Sequence, residues 1–258
     1  MSQSSVTLPS FDLSGRTAIV TGATSGLGHR FALILAKAGA RVMITGRRVA
    51  RLKKLEDEIL AMGGKVALFA LDINDTASIF ECVEETERQL GPVDILVNNA
   101  GMNIQRAAVD MSPENYDAIF NTNVRGAFFM IQAVAKKMIP RGAGGRIINI
   151  ASIGAHTVLP GQTVYCMTKA AVAMMTQSLA RDWARHNINV NAICPGYIVT
   201  EMNSGWFKSP GGEKQKNSFP RCRVGEPSDL DGTLLLLASD HARFITGSVI
   251  TVDDGQSL

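Results

Sequence analysis

The sequence predicts a single α/β domain: an open, doubly wound, seven-stranded parallel sheet with helices on both faces. Three observations predict it. From Arg16 onward, short β-rich runs alternate with helical stretches, the pattern of βαβ units. The first run leads straight into a glycine-rich turn that opens a helix. No linker, internal repeat or low-complexity segment divides the 258 residues, a length that suits one large α/β domain. Right-handed crossovers then place ligands beyond the carboxyl ends of the strands.

The elements follow in order. Residues 1–14 read as a loose polar arm and residues 15–258 as the domain. TAIV is the first strand, and GLGHRFALILAKAG a helix ending at Gly39. ARVMIT is the second strand, followed by the charged helix RRVARLKKLEDEILAMGG. KVALFAL and NDTASIFECVEETERQLG make the third strand and helix. VDILVNN is the fourth strand, before a long helical region from about Ser112 to Met138. GRIINIAS is the fifth strand. TVYCMTKAAVAMMTQSLARDWARH then has apolar residues at helical spacing and neither Gly nor Pro. NINVNAICPG and GSVITVDDG are the sixth and seventh strands. Residues 197–226 are the least regular long segment, and a loop of that length in a compact domain is usually functional or mobile.

Composition bounds the partners. A net charge of +3, with no basic run or cluster, gives no argument for nucleic acid. No apolar stretch reaches membrane-spanning length. The N-terminus lacks the basic and apolar regions of a secretory signal. Cys82, Cys166, Cys194 and Cys222 lie far apart without C-x-x-C spacing, which suits reduced thiols and argues against a metal or a disulfide framework. The expectation is a soluble cytoplasmic protein without metal, nucleic-acid partner or membrane anchor.

Chemistry concentrates at Ser152–Lys169. Ser152 ends the fifth strand, and Tyr165 and Lys169 are four apart on a helix, hence on one face. A free tyrosine ionises near pH 10, and an ammonium beside it is expected to favour the phenolate and lower that value. The first strand enters Thr21-Gly22-Ala23-Thr24-Ser25-Gly26-Leu27-Gly28, then a helix. Glycines there permit a tight turn and let backbone N–H groups approach a pyrophosphate. An NAD site generally places an acid about 20 residues further on. Here the second strand ends Gly46-Arg47-Arg48 with no acid, and an arginine fork suits a 2′-phosphate, so NADP(H) is expected over NAD(H). The alternative is that both arginines are the solvated start of a basic helix. Asp72, before Ile73, is placed for an adenine amino group or a helix N-cap, a job for which Asn74 and Asp75 compete. The fourth strand ends in the polar turn Asn98-Asn99-Ala100-Gly101.

T-G-x-x-x-G-x-G, N-N-A-G, a serine after the fifth strand, Y-x-x-x-K and P-G after the sixth, in this order over Gly15 to Gly255, resemble the short-chain dehydrogenase/reductase family. The resemblance implies a Rossmann-type fold and catalytic roles for Ser152, Tyr165 and Lys169, with Asn123 as a fourth member that disturbs its own helix and holds a water leading from the lysine to solvent. It implies cofactor contacts from Gly22, Thr24, Ser25, Gly26, Leu27 and Gly28 at the pyrophosphate, and from Arg47 and Arg48 at the 2′-phosphate. Asp72 and Ile73 would meet the adenine, and Asn98, Asn99, Ala100 and Gly101 the ribose side. Tyr165 and Lys169 would reach the nicotinamide ribose, and Pro195, Gly196, Ile198 and Thr200 the nicotinamide. It further implies a homotetramer and an NADPH-dependent ketone reductase resembling the 3-oxoacyl reductases. Gluconate or polyol dehydrogenases of the family are the alternative, and a non-catalytic NADP(H) sensor or scaffold is the rival from another class.

The substrate side is less determined. Trp206 and Phe207 suggest an apolar wall, His156 lies four residues past Ser152, and Asn103 and Gln105 suggest a polar rim. Lys208, Arg221 and Arg223 are candidates for an anionic substrate or ordinary solvated surface. The last strand ends Val252-Asp253-Asp254-Gly255, where the family commonly has V-D-G-G.

Overall fold

The computed structural model describes residues 10–201 and 203–258. Seven parallel strands run in the order β3-β2-β1-β4-β5-β6-β7: β1 (Thr17–Val20), β2 (Arg41–Gly46), β3 (Lys65–Ala70), β4 (Ile95–Asn98), β5 (Gly145–Ile150), β6 (Ile188–Pro195) and β7 (Val249–Val252). β1 and β4 are buried at every position and β6 at all eight, because helices cover both faces. One apolar layer packs α1 (Gly26–Lys37), α2 (Val49–Ala61) and α9 (Asp231–Ala238) on the sheet through Phe31, Leu35, Leu52, Leu55, Leu234 and Leu237. The other layer uses Ile79 and Val83 of α3 (Thr76–Leu90), Met130 and Val134 of α5 (Ala127–Arg141), and Leu179 of α6 (Thr163–Trp183). Among the described residues, no helix is long and apolar enough to cross a membrane.

The chain winds outward from β1 to β3, then crosses to β4 on the other side of β1. The strand order reverses there, which leaves a crevice at the carboxyl ends of β1 and β4. Thr21 binds the two lips together. Its hydroxyl accepts from the N–H groups of Asn99 and Ala100, both at 2.9 Å, and its carbonyl accepts from Asn99 Nδ2 at 2.9 Å.

Four expectations need amendment. Residues 1–9 of the arm lie outside the described residues, but residues 10–14 are not loose: Leu13 is buried in the core and Ser10 N donates to His241 at 3.0 Å. The long helical region is two α-helices, α4 (Pro113–Phe120) and α5, joined by a π-helix at Asn121–Gly126. The irregular segment 197–226 holds α7 (Ser204–Phe207) and α8 (Pro210–Ser218). α8 is started by Ser209, whose hydroxyl accepts from Gly212 N at 3.2 Å, with Pro210 at the first helical position. α9 lies between β6 and β7, where no helix was expected. Its D-G-T-L-L-L-L-A run lacks the one-sided apolar stripe that identifies a helix.

Candidate active site

The glycine turn leaves the start of α1 open. Ser25 holds the N-cap position in extended conformation, yet its side chain caps no backbone N–H of the helix. The first-turn donors therefore remain available to an anion. Gly22 adopts φ +68°, and a Cβ there would sit 2.9 Å from Ala100 Cα. At Gly28, a Cβ would sit 2.5 Å from Asn99 Nδ2. These glycines are required by the close approach of the β1 and β4 turns to each other. At Gly26 a Cβ would lie 3.3 Å from Thr200 Cγ2, so the segment after β6 closes the crevice from the far side. Pro195 ends β6, Gly196 N donates to Val252 O at 3.0 Å, and Ile198 is buried beneath.

The two arginines differ. The Arg48 guanidinium donates to Thr24 Oγ1 (2.6 and 3.1 Å) and to Ser25 Oγ (2.8 Å). It is thus held over the glycine turn. Arg47 is exposed and makes no side-chain hydrogen bond or ion pair among the described residues. Asp75 is the residue that caps α3, accepting from Ala77 N at 2.9 Å. Asp72 stays exposed at the end of β3, where it accepts only from Asn74 N at 3.0 Å, with buried Ile73 beside it. These residues fit a dinucleotide: uncapped helix donors for the pyrophosphate, an arginine fork for a phosphate, and a free carboxylate for an amino group.

Ser152, Tyr165, Lys169 and Asn123 converge at the mouth of the crevice. Ser152, after β5, is buried, and a hydrogen bond from its side chain favours the Tyr165 phenolate. The Lys169 ammonium lies 5.5 Å from the centre of the Tyr165 ring and donates to Ile150 O at 2.8 Å. A Cβ on Gly101 would be 3.3 Å from Asn123 Oδ1 and 3.6 Å from Lys169 Nζ. Asn123, 2% exposed, sits in the π-helix. Its Oδ1 accepts from Met102 N (2.8 Å), and its Nδ2 donates to Met102 O (2.9 Å) and Thr168 Oγ1 (3.0 Å).

The expected lowering of the Tyr165 pKa is not borne out. Burial pushes the phenol up, and the bond from Ser152 offsets this only in part. The cause is geometric: Lys169 points its ammonium at the Ile150 carbonyl and is itself buried, which pushes its pKa down to about 8. A stability effect follows. Between the folded pKa of about 8 and the ordinary value of 10.5, the unfolded chain binds more protons at this site. Stability from this group therefore rises with pH across that window, by up to about 3 kcal/mol. Urea titrations from pH 7 to 10.5 should show the rise in the wild-type protein relative to Lys169→Met, and parallel curves would exclude it.

The substrate side departs further from expectation. Phe207 is buried within the cover, edge-on to Tyr197 at 5.9 Å, and Phe219 stacks on Tyr197 at 5.4 Å. Trp206 donates to Gln215 Oε1 at 2.8 Å and packs over Gly211, so it braces α8. Tyr197, which sequence reasoning missed, is the aromatic residue that stands near Tyr165. His156 is exposed and faces Thr251 of β7 at 3.5 Å. Arg223 and Arg221 both pair with Asp254, at 2.7 and 3.5 Å, which makes them structural. Asp254 adopts φ 57°, where glycine is favoured, and its carboxylate pairs with those arginines. Asn103 Nδ2 donates to Gln162 Oε1 at 2.8 Å, one helical turn before Tyr165, while Asn103 Oδ1 is buried without a partner. Beside this rim lies a cavity of about 680 Å³ lined by Gln105, Arg106, Ala107, Asp110, Asn115 and Gly161.

A family model described as enoyl-(acyl carrier protein) reductase matches residues 22–257. Gluconate 5-dehydrogenase of Gluconobacter oxydans is 36% identical over 256 residues, covering 95% of this chain and 96% of that protein. A 3-oxoacyl-[acyl-carrier-protein] reductase of Thermotoga maritima is 36% identical over 243 residues, covering 94% and 98%. The crystal structure of a gluconate 5-dehydrogenase from Burkholderia cenocepacia, in complex with NADP and tartrate, superposes with a TM-score of 0.91 at 34% identity, covering 96% and 97%.

Proposed function

The chain belongs to the short-chain dehydrogenase/reductase family, and from that premise we propose that it is an NADPH-dependent oxidoreductase interconverting a ketone and a secondary alcohol. The observation that carries the reading is the meeting of Ser152, Tyr165, Lys169 and Asn123 beside Gly101, at the carboxyl ends of the strands. Gly22, Thr24, Ser25, Gly26, Leu27 and Gly28 hold the pyrophosphate, and Arg48, with Arg47, the 2′-phosphate. Asp72 and Ile73 flank the adenine and Asn99, Ala100 and Gly101 the adenosine ribose. Lys169 reaches the nicotinamide ribose, and Pro195, Gly196, Ile198 and Thr200 bound the nicotinamide end. When bound, the nicotinamide supplies or accepts the hydride.

Ser152 and Tyr165 donate hydrogen bonds to the substrate oxygen, and these strengthen as charge develops there. Tyr165 transfers its proton to that oxygen in reduction and takes it back in oxidation. Lys169 steadies the phenolate, and Asn123 keeps the Met102 turn fixed against the helix. A panel of β-keto thioesters, keto-sugars and bulky cyclic ketones, followed by NADPH and NADH consumption, tests the reading. Turnover with NADPH and one group clearly ahead supports it. Tight NADPH binding with no turnover favours a sensor.

One observation favours a polyol or sugar-acid substrate over a 3-oxoacyl chain. The Asn103–Gln162 contact uses one half of each side-chain amide, which leaves an acceptor on one residue and a donor on the other. A substrate hydroxyl that reaches the buried Asn103 oxygen can donate to it while accepting from Gln162 Nε2. Comparing a hydroxyketone with its deoxy analogue checks this, with about 100-fold preference for the hydroxylated compound expected and equal kcat/KM removing the preference for polyols. We further infer a cytoplasmic homotetramer. The exposed Tyr116, Phe128, Met167 and Met174 on α4, α5 and α6 suit a subunit interface, and light scattering of the purified chain tests the assembly.

A further inference from the structure

Two threonines on α6 make the same pair of hydrogen bonds, one at the reacting centre and one two turns beyond it. Thr168 Oγ1 donates to Tyr165 O at 2.7 Å and accepts from Asn123 Nδ2 at 3.0 Å. Thr176 Oγ1 donates to Val172 O at 2.8 Å and accepts from Asn149 Nδ2 at 2.9 Å. Both threonines are fully buried. In each, the hydroxyl's single hydrogen goes to its own helix, and a lone pair receives the amide of an asparagine from another element. What differs is the asparagine.

Asn149 belongs to β5, so its bond to Thr176 fastens strand to helix. Asn123 lies in the π-helix, and its two other bonds hold the peptide groups of Met102. Thr168 takes the one amide hydrogen that Met102 leaves over. Without the hydroxyl, a buried N–H of Asn123 has no partner, and the amide is no longer tied to the turn that bears Tyr165. Lys169 follows Thr168 directly and faces the Gly101–Met102 turn. One hydroxyl thus links the backbone of the Tyr165 turn to Asn123 and, through Asn123, to the Met102 turn.

We propose that Thr168 is a positioning residue of the reaction: its hydroxyl locks the Asn123 amide to the Tyr165 turn and fixes the spacing of the reacting groups. The inference rests on the oxidoreductase reading of this site. Thr176 supplies the control, since it makes the same bonds on the same helix away from the reacting groups.

The experiment compares Thr168→Val, Thr168→Ser and Thr176→Val in the full chain, measuring kcat, KM for NADPH and for the ketone, and Tm. Both valine variants are expected to lose thermal stability. Thr168→Val also loses kcat by about 10- to 100-fold, the scale of a misplaced reacting group, with KM for NADPH changing far less than kcat. Thr168→Ser restores most of the rate, and Thr176→Val keeps it. Should Thr168→Val fail to fold, Thr168→Ala takes its place. The proposal is overturned if the Thr168 variant keeps kcat within twofold of wild type, if Thr176→Val loses as much, or if serine restores nothing. A wild-type chain that reduces no ketone sinks the reading of the site, and the proposal with it.

Discussion

Tyr165→Phe is expected to lower kcat by about 10³-fold, while NADPH binds with nearly its wild-type affinity. The change removes one oxygen and leaves the ring that packs at the mouth of the crevice. General acid–base transfer by a positioned side chain contributes about 10² to 10⁴, and the lost phenol is also one of two donors to the substrate oxygen. Direction and pH are linked here. Burial pushes the Tyr165 phenol up, so at neutral pH it is the protonated acid that reduction requires. Oxidation requires the phenolate, so its rate should rise with pH where reduction falls. Lys169, its pKa pushed down to about 8 by burial, loses its charge in the alkaline range as well. Single-turnover rates in both directions, beside fluorescence titration of NADPH, check the expectation. A variant with more than a tenth of wild-type kcat would take the phenol out of the mechanism.

The sheet was legible because burial on both faces writes each strand as an unbroken apolar run, and the helices between them keep an apolar stripe. Where that stripe is absent, as in α9, the element was lost. The buried Asn189 and Asn191 of β6 look wrong for a core strand until Asn189 Nδ2 is seen to donate to Ile245 O at 2.8 Å and Asn191 Oδ1 to accept from Ser248 N at 3.0 Å. Those partners lie more than 50 residues away and leave no local signal. The candidate site residues were legible in part because two of them share a helix face. Thr168 stood between them unnoticed, since a threonine one residue before Lys169 has no meaning until Asn123 is brought to it across 45 residues of chain. The packing of the segment after β6 was hidden for a different reason. Trp206 and Phe207 are apolar enough for a pocket wall, but Phe207 is buried with Phe219 against Tyr197, and Trp206, half exposed, bonds Gln215 of α8.

Electrostatics was the least legible level. Arg221 and Arg223 offered themselves to an anionic substrate, yet both pair with the Asp254 carboxylate. The Y-x-x-x-K spacing placed charge beside phenol correctly but said nothing of where the ammonium points. Its donation to the Ile150 carbonyl depends on the height of β5 against α6, which is a property of packing.

The same separation between position and orientation bears on the cofactor preference proposed above. Arg48→Ala is expected to raise KM for NADPH by about 100-fold and to leave KM for NADH within a few-fold. Arg47 and Arg48 are equivalent in sequence, but only Arg48 is oriented in advance, by the hydroxyls of Thr24 and Ser25. A guanidinium held in place gives up little rotamer freedom when it binds a phosphate. Two charge-assisted hydrogen bonds at about 1.5 kcal/mol each amount to roughly two orders of magnitude in affinity. No acid stands at the end of β2 to take ribose hydroxyls in place of the phosphate. Glu201, the carboxylate near Arg48, is itself engaged by Arg51 at 2.6 Å. Arg47→Ala should therefore cost less than Arg48→Ala. Arg48→Lys should fall between wild type and alanine, because the charge remains and the fork is lost. Steady-state KM values for both cofactors distinguish the possibilities. An equal loss with NADPH and NADH would mean that Arg48 only shapes the glycine turn, and a larger loss at Arg47 would move the phosphate to the arginine that this structure leaves free.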